Sequence, residues 1–371
     1  MEHARIAGEP ATLEAAIVAA AKLLAASRSP LIAGLGTDVA GARAAVSLAE
    51  KVGAVVDHMH ADALLCNLDV MRSSGVLVTT PTEAQVRADT LLLVGPGLDA
   101  AWPQLPQRLF APTRQNPRAI SVERRIFCLC PGRDLAIPSA GKMDVVTIGK
   151  RPEELPALLA ALRARVAGRP VGQTRVSLRR LDEIATGLKE ARYGVAIWSA
   201  AVLDALTIEM VCGLVDDLNG TTRFAGLPLA PGDNAVGVMQ TCAWLTAMPM
   251  RSALGRGSPR HDPWLFESQR LVASGETDCV VWISAYRAVA PAWRKAPPTI
   301  ALTGSNANFL KPPRVHIAVG CPGVDHNGVE YRPSIGTLGL VEAREPNGAL
   351  SAADVIAHIA ASLPDAGGEG C

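Results

Sequence analysis

The segment from residue 30 to residue 57 constrains the fold of this chain more than any other part of it. It reads as an apolar strand over 30–34, a glycine turn Gly34-Leu35-Gly36-Thr37, a helix over 40–52, and a second strand over 54–57. Gly53 follows the helical stretch where a left-handed C-cap belongs. Two strands joined through a helix must lie parallel, because a tight hairpin cannot connect them. Runs as apolar as Pro30-Leu31-Ile32-Ala33 carry no alternation, so both faces of such a sheet are covered. The pattern starts again at 91–95, closed by Gly95-Pro96-Gly97.

The same reading extends along the chain. Thr12 caps a helix predicted over 12–26, where Leu13, Ile17, Ala21 and Leu24 fall at helical spacing. Further strands are expected over 119–122, 145–148, 194–198, 279–284, 299–303 and 315–319, and helices over 153–165, 178–190, 202–219 and 235–247. Taken contiguously, this gives a first Rossmann-like α/β unit over 1–150, an Arg-rich helical connection over 151–192, and a second α/β unit over 193–345. A C-terminal helix with a Gly-rich, disordered tail follows over 346–371. Hydrophobic residues are 49% and charged residues 19% of the chain, which suits a packed globular protein. Lys plus Arg (36) nearly equals Asp plus Glu (35) and no basic stripe is visible, so a nucleic-acid partner is not indicated. The N-terminus lacks a signal-peptide pattern and no apolar stretch reaches membrane-spanning length, so the expected location is the cytoplasm.

Five features invite chemistry. Gly34-x-Gly36 and Gly95-x-Gly97 follow strands, where backbone N–H groups can face an anion. Neither completes G-x-G-x-x-G, because Val39 and Ala100 hold the last position, and tight βα turns explain the glycines equally well. Asp57 ends a strand where a nucleotide-binding enzyme places its ribose acid. Asp57-His58-Met59-His60-Ala61-Asp62 is the densest group of possible metal ligands, with His-x-His suited to zinc. Against zinc, the other histidines do not fall at successive strand ends, so surface or interface roles are expected. Cys128-x-Cys130 before Pro131-Gly132 is a loop-borne pair without a second pair, while Cys212 and Cys279 read as small core residues. Arg256-Gly257-Ser258-Pro259-Arg260 is a stiff charged loop able to meet an anion or a partner acid, and Asp325-His326 lies in a turn.

Several colinear segments, each weak alone, resemble the B subunit of formylmethanofuran dehydrogenase, a molybdopterin oxidoreductase. They are Pro30 to Gly36 with Leu48 to Asp57, Arg87 to Asp89 with Leu91 to Gly97, Asn234-x-x-Gly237 with Gln240 to Trp244, Arg256 to Arg260, Gly275 to Cys279, and Gly328 to Arg332. The resemblance implies a formate dehydrogenase/DMSO reductase-type α/β fold with Rossmann-like parallel sheets. It also implies molybdenum or tungsten held by two pterins, and a [4Fe–4S] motif of C-x-x-C type at the start. The first cysteine here is Cys66, so the fold is expected without the iron–sulfur domain.

The family's metal-ligating Cys-His falls on Ala63 and Leu64, which offer a soft metal no donor. Gly34, Gly36, Ala63, Leu64, Gly95 and Gly97 therefore stand as vestigial positions of a pterin site, with no catalytic residue, metal or cofactor expected. A degenerate B subunit of this kind resembles that of the methylotroph formyltransferase/hydrolase complex. There, by resemblance, an amidohydrolase-like A subunit hydrolyses, a D subunit transfers the formyl group, and the B and C subunits are scaffold. The alternatives are an active formylmethanofuran or formate dehydrogenase subunit, and a nucleotide-binding α/β enzyme working through the two glycine turns.

Overall fold

The computed structural model describes residues 4–103, 105, 109, 124–132, 143–255, 257–293 and 295–364. The chain divides into two compact units that exchange the polypeptide: one takes 1–61, 232–331 and 338–371, the other 62–231 and 332–337. These boundaries are not those of the contiguous reading. A parallel sheet takes strands far apart in sequence as neighbours, so linear order does not reveal which strands share a core.

The first unit is built on a nine-stranded sheet. Its centre is five parallel strands, Pro30–Gly36, Val55–Val56, Cys279–Ser284, Thr299–Thr303 and Val315–Ala318. Numbered in chain order, these five lie 2-1-3-4-5, the flavodoxin-like arrangement. Antiparallel ribbons extend it on both sides, Ser252–Ala253 with Arg260–His261 at one edge and Ala4–Ile6 with Glu9–Ala11 at the other. Every residue of Pro30–Gly36 and of Cys279–Ser284 is buried, as their unbroken apolar sequence requires.

The second unit holds five parallel strands, Thr90–Val94, Arg124–Leu129, Met143–Ile148, Gly194–Trp198 and Phe224–Pro228. In chain order they lie 3-2-1-4-5, the Rossmann order. Helices Leu155–Val166, Leu178–Lys189 and Ala205–Asn219 cover one face through Leu159, Leu162, Ile184, Leu188, Ile208 and Leu214. The opposite face packs Leu91, Leu93, Ile126, Val195 and Ile197 with Trp102.

Local signals in the sequence account for most element ends. Thr12, Asp38, Ser177 and Asp204 each accept a hydrogen bond from a first-turn amide. Gly53 adopts φ 72° after helix Val39–Val52, as read from its position. Near the C-terminus, helix Ala352–Ala361 opens with a capping box between Ser351 and Asp354. Several elements went unread, among them one helix and three strands. Helix Ala61–Ser74 was hidden behind the His/Asp cluster that precedes it. Strand Arg124–Leu129 takes in Cys128, while Cys130, at φ 47°, lies just past its end in the loop expected before Pro131-Gly132. Strands Gly328–Arg332 and Thr337–Val341 pair as a separate two-stranded sheet. The strand expected over 119–122 and the tail over 365–371 lie outside the described residues.

Candidate functional site

In an open parallel sheet, ligands meet the crevice at the carboxyl ends of the strands where the winding reverses. In the first unit that point lies between Pro30–Gly36 and Cys279–Ser284. Here the sequence departs from regular pairing. Ala33 opposes Trp282 and Gly36 opposes Ser284, so Gly34 and Leu35 share one partner residue as a β-bulge. Both carry positive φ, 78° and 53°. Just past the bulge, a Cβ on Gly36 would stand 3.4 Å from Asp233 Cβ in the loop after Gly232, where Asp233 and Asn234 are also both left-handed, at 54° and 56°. Consecutive non-glycine residues in that region are strained and persist only when their surroundings hold them.

What holds them is a polar cluster. Asn234 precedes helix Ala235–Thr246 without capping it. Its side chain instead donates to the Thr37 carbonyl (2.9 Å) and accepts from the Tyr331 amide (2.8 Å). The Asp233 carboxylate, 1% exposed, accepts from Arg287 Nε (2.9 Å) and from its Nη2. His60 Nε2 lies 2.9 Å from Asp233 Oδ2 and 3.0 Å from Arg287 Nη2. Burial alone would raise the Asp233 carboxyl, but the His60 ring and the guanidinium outweigh it and bring it down to about 2.

His58 is buried, and both its ring nitrogens are occupied. The His60 amide donates to Nδ1 (3.0 Å), which places the proton on Nε2, and Nε2 donates to the Asp233 carbonyl (3.1 Å). Burial lowers its pKa to about 4, against the opposing pull of the Asp233 carbonyl. The ring planes of His58 and His60 are tilted by 42°, and no group of three or more His, Cys, Asp or Glu able to hold a metal occurs among the described residues. His58 therefore has no free lone pair to offer the zinc that His-x-His suggested, and His60 Nε2 is committed to Asp233. Asp57 is likewise no ribose acceptor. It is buried and takes the His58 and Ser268 amides, each at 2.9 Å, and Arg251 Nε at 3.4 Å.

Asp57 and His58 carry opposite pH linkage. Burial, opposed chiefly by Arg251, raises the Asp57 carboxyl to about 6, above its unfolded value near ~4. The folded state therefore binds that proton more tightly, and Asp57 adds stability as pH falls from about 6 towards ~4. His58, lowered to about 4, must stay neutral when folded, so its contribution is lost over much the same interval. Asp57→Asn removes the compensating half. Urea unfolding between pH 7 and 4 should show a steeper acid loss in the variant than in the parent chain; parallel curves would refute this.

A cleft of about 640 Å³ opens beside Arg287, bounded by Ser305, Asn306, Cys321, Asp325 and Asn347. The Tyr286 hydroxyl on its wall is buried, and burial followed by the Glu330 carboxylate pushes it far above the usual phenol range. Asp325 ties the turn expected there, accepting from the Cys321 amide (2.7 Å) and Asn347 Nδ2 (2.6 Å). Cys321 is held as a thiol by burial and then by Asp325 and Glu330. Arg287 is already neutralised by Asp233, so the cluster brings no surplus positive charge to this cleft. The arrangement locks a bulged strand to a loop; it does not present an activated nucleophile.

The second unit's switch point lies between Thr90–Val94 and Gly194–Trp198, and it is filled from within. A Cβ on Gly95 would come 2.9 Å from Leu203 Cδ2, and one on Gly97 3.4 Å from Val202 Cγ1. Ala63 packs in the core with Val70, Trp198 and Leu203, and Leu64 is also buried. Cys66 is half-buried, and its thiol is pushed up by burial and then by Asp204, Asp69 and Asp62. A molybdenum or tungsten centre does not fit these positions. Ala63 and Leu64 have only alkyl groups, and the nearby sulfur is kept protonated where a soft metal needs thiolate. Cys128 and Cys130 are also buried, both pushed to about 11 by burial. In the charged loop, Arg256 lies outside the described residues and Arg260 reaches over the Phe266 ring at 6.0 Å.

No protein-family model matches the chain. It is 33% identical over 344 residues to the B subunit of the formyltransferase/hydrolase complex Fhc of Methylorubrum extorquens, covering 92% of this chain and 91% of that protein. The chain belongs to the family of Fhc B subunits. A solved structure of the M. extorquens formyltransferase/hydrolase complex FhcABCD with methylofuran contains a chain that superposes with a TM-score of 0.85 at 33% identity. That match covers 96% of this chain and 98% of the other. The B subunit of the tungsten-containing formylmethanofuran dehydrogenase 2 of Methanocaldococcus jannaschii is 29% identical over 283 residues, which is 73% of this chain and 63% of that relative. The resemblance read in the colinear segments is therefore a family relationship.

The sequence reading missed Asp233, Arg251, Tyr286 and Arg287. Only Asp233 left a trace: Gly232-Asp233-Asn234 puts the two residue types that best tolerate left-handed backbone directly before a helix.

Proposed function

We propose that this chain is a non-catalytic structural subunit of a formyltransferase/hydrolase complex of one-carbon metabolism, the assembly that releases formate from a formylated methanofuran-type carrier. Its partners are an amidohydrolase-like A subunit, a C subunit and a formyltransferase D subunit. The observation that carries this is the match along 92% of the chain to an Fhc B subunit, repeated in three dimensions at a TM-score of 0.85. The fold is of the molybdopterin-oxidoreductase type; the flavodoxin-like and Rossmann strand orders support that. The alkyl side chains at Ala63 and Leu64 support a scaffold over a redox site, since function resides in the site and a fold outlasts it. No helix among the described residues is long and apolar enough to cross a membrane, and a cytoplasmic location is part of the proposal.

Native mass spectrometry of the tagged chain purified from its host, with elemental analysis of the same sample, tests this. The expected result is a hetero-oligomer with three other kinds of subunit and molybdenum and tungsten far below one per chain. A lone monomer, or either metal at one per chain, overturns it.

A further inference from the structure

In the first unit, at the amino ends of the parallel strands and not at the carboxyl ends where the Gly34 bulge lies, a groove of about 600 Å³ runs across the start of strands Thr299–Thr303 and Val315–Ala318. Its walls are unusually stiff. Pro291, Pro297, Pro298, Pro312 and Pro313 all line it, and each has a fixed φ. Trp293 stands edge-on to Trp282 at 5.3 Å between ring centres, and Trp282 donates to the Val289 carbonyl, which ties the loop in place. Phe309 is braced edge-on against His316, also at 5.3 Å. On the rim, Leu310 is 81% exposed, more than any other large hydrophobic residue described in the chain.

The charges here have one sign. Lys311 and Arg314 are the only charged side chains among the described residues lining the groove. Both are exposed, and neither meets a carboxylate among the described residues. A preformed apolar trough with two unneutralised cations matches one chemistry: an extended segment that offers apolar side chains to the prolines and rings and a carboxylate to the rim. Because the walls are already ordered, little entropy is lost on their side when it docks.

Resting on the reading above that the chain assembles with other subunits, we infer that this groove is the anchor for an extended, apolar and acidic segment of one of them. Leu310, Trp293 and Phe309 supply the central contact, and Lys311 and Arg314 supply charge recognition.

The test uses the complex from its host. With a photo-crosslinking amino acid at Leu310, the expected product is a crosslink to another subunit, within a peptide holding both apolar and Asp or Glu residues. Leu310→Asp should lower recovered partner by about ten-fold or more, as loss of an interface anchor does. Lys311→Glu should weaken recovery less and reduce its sensitivity to salt. Both residues are exposed, so the variants should melt with the parent chain. Crosslinks only between copies of this chain, no crosslink, or full partner recovery with Leu310→Asp would each overturn the inference while leaving the assembled parent complex intact. A parent chain that recruits no subunit at all would overturn both readings.

Discussion

Gly34→Ala is expected to destabilise the first unit by at least about 3 kcal/mol, enough that little folded protein is recovered at 37 °C. The expectation combines two effects. An alanine at φ 78° carries a left-handed backbone penalty of roughly 1–2 kcal/mol. Its Cβ would also stand 2.5 Å from the Ile283 carbonyl oxygen and 3.1 Å from the Trp282 ring. Neither neighbour is the loose end of a flexible side chain: one is the backbone of the adjacent central strand, and the other is wedged against Trp293. Relief requires the two strands to part, which breaks the ladder that organises the sheet. Gly97→Ala is the control. It shares the positive φ, 72°, but its nearest neighbour is a Val202 methyl at 3.4 Å, so about 1–2 kcal/mol is expected from the backbone alone. Calorimetric unfolding of the two variants separates them. If both glycines existed only to let a ligand approach, the two substitutions would lower stability alike, and the sheet-bulge account would be wrong.

That contrast shows what the sequence could and could not disclose. The βα turns were legible because Gly-x-Gly after an apolar run is a local signal, and so were most strands, whose burial on both faces leaves Leu91-Leu92-Leu93-Val94 or Val280-Val281-Trp282-Ile283 without alternation. The role of each glycine was not legible. Gly34 faces a carbonyl contributed some 250 positions later, and Gly95 faces Leu203 across a parallel pairing. The same holds for the division into units: Cys279–Ser284 pairs with Pro30–Gly36, while the intervening polypeptide builds the other sheet. His58 and His60 attracted attention as metal ligands because a histidine pair advertises its nitrogens. What occupies those nitrogens, Asp233, lies about 175 positions away in a loop chosen for its Gly-Asp-Asn turn chemistry. Ala63 and Leu64 are the reverse case. The sequence discloses fully that they have no donor atoms, and the structure adds only that they are buried in apolar packing.

Arg287→Met should destabilise the protein by about 2–3 kcal/mol, although the arginine side chain is 55% exposed and most surface substitutions change stability by less than ~0.5 kcal/mol. The asymmetry lies in its partner. Arg287 can return to water when the pair breaks, but Asp233 stays 1% exposed with only His60 left to compensate its charge. Removing one member of such a pair leaves a buried carboxylate unmatched, which costs more than the pair itself contributes. Asp233 responds by taking up a proton more readily, so the variant should also change its acid profile. In the parent chain the carboxyl is held at about 2, and its stabilisation is complete above the unfolded value near ~4 and lost as pH falls below that. In Arg287→Met the loss should begin at higher pH. Asp233→Asn placed on top of Arg287→Met removes the stranded charge and should recover part of the stability at neutral pH, making the double variant more stable than the single one. Urea midpoints for the four chains of this cycle decide the matter. If the double variant is the least stable, the two residues act independently, and the switch-point cluster is not the lock that holds Asp233 and Asn234 in their strained conformations.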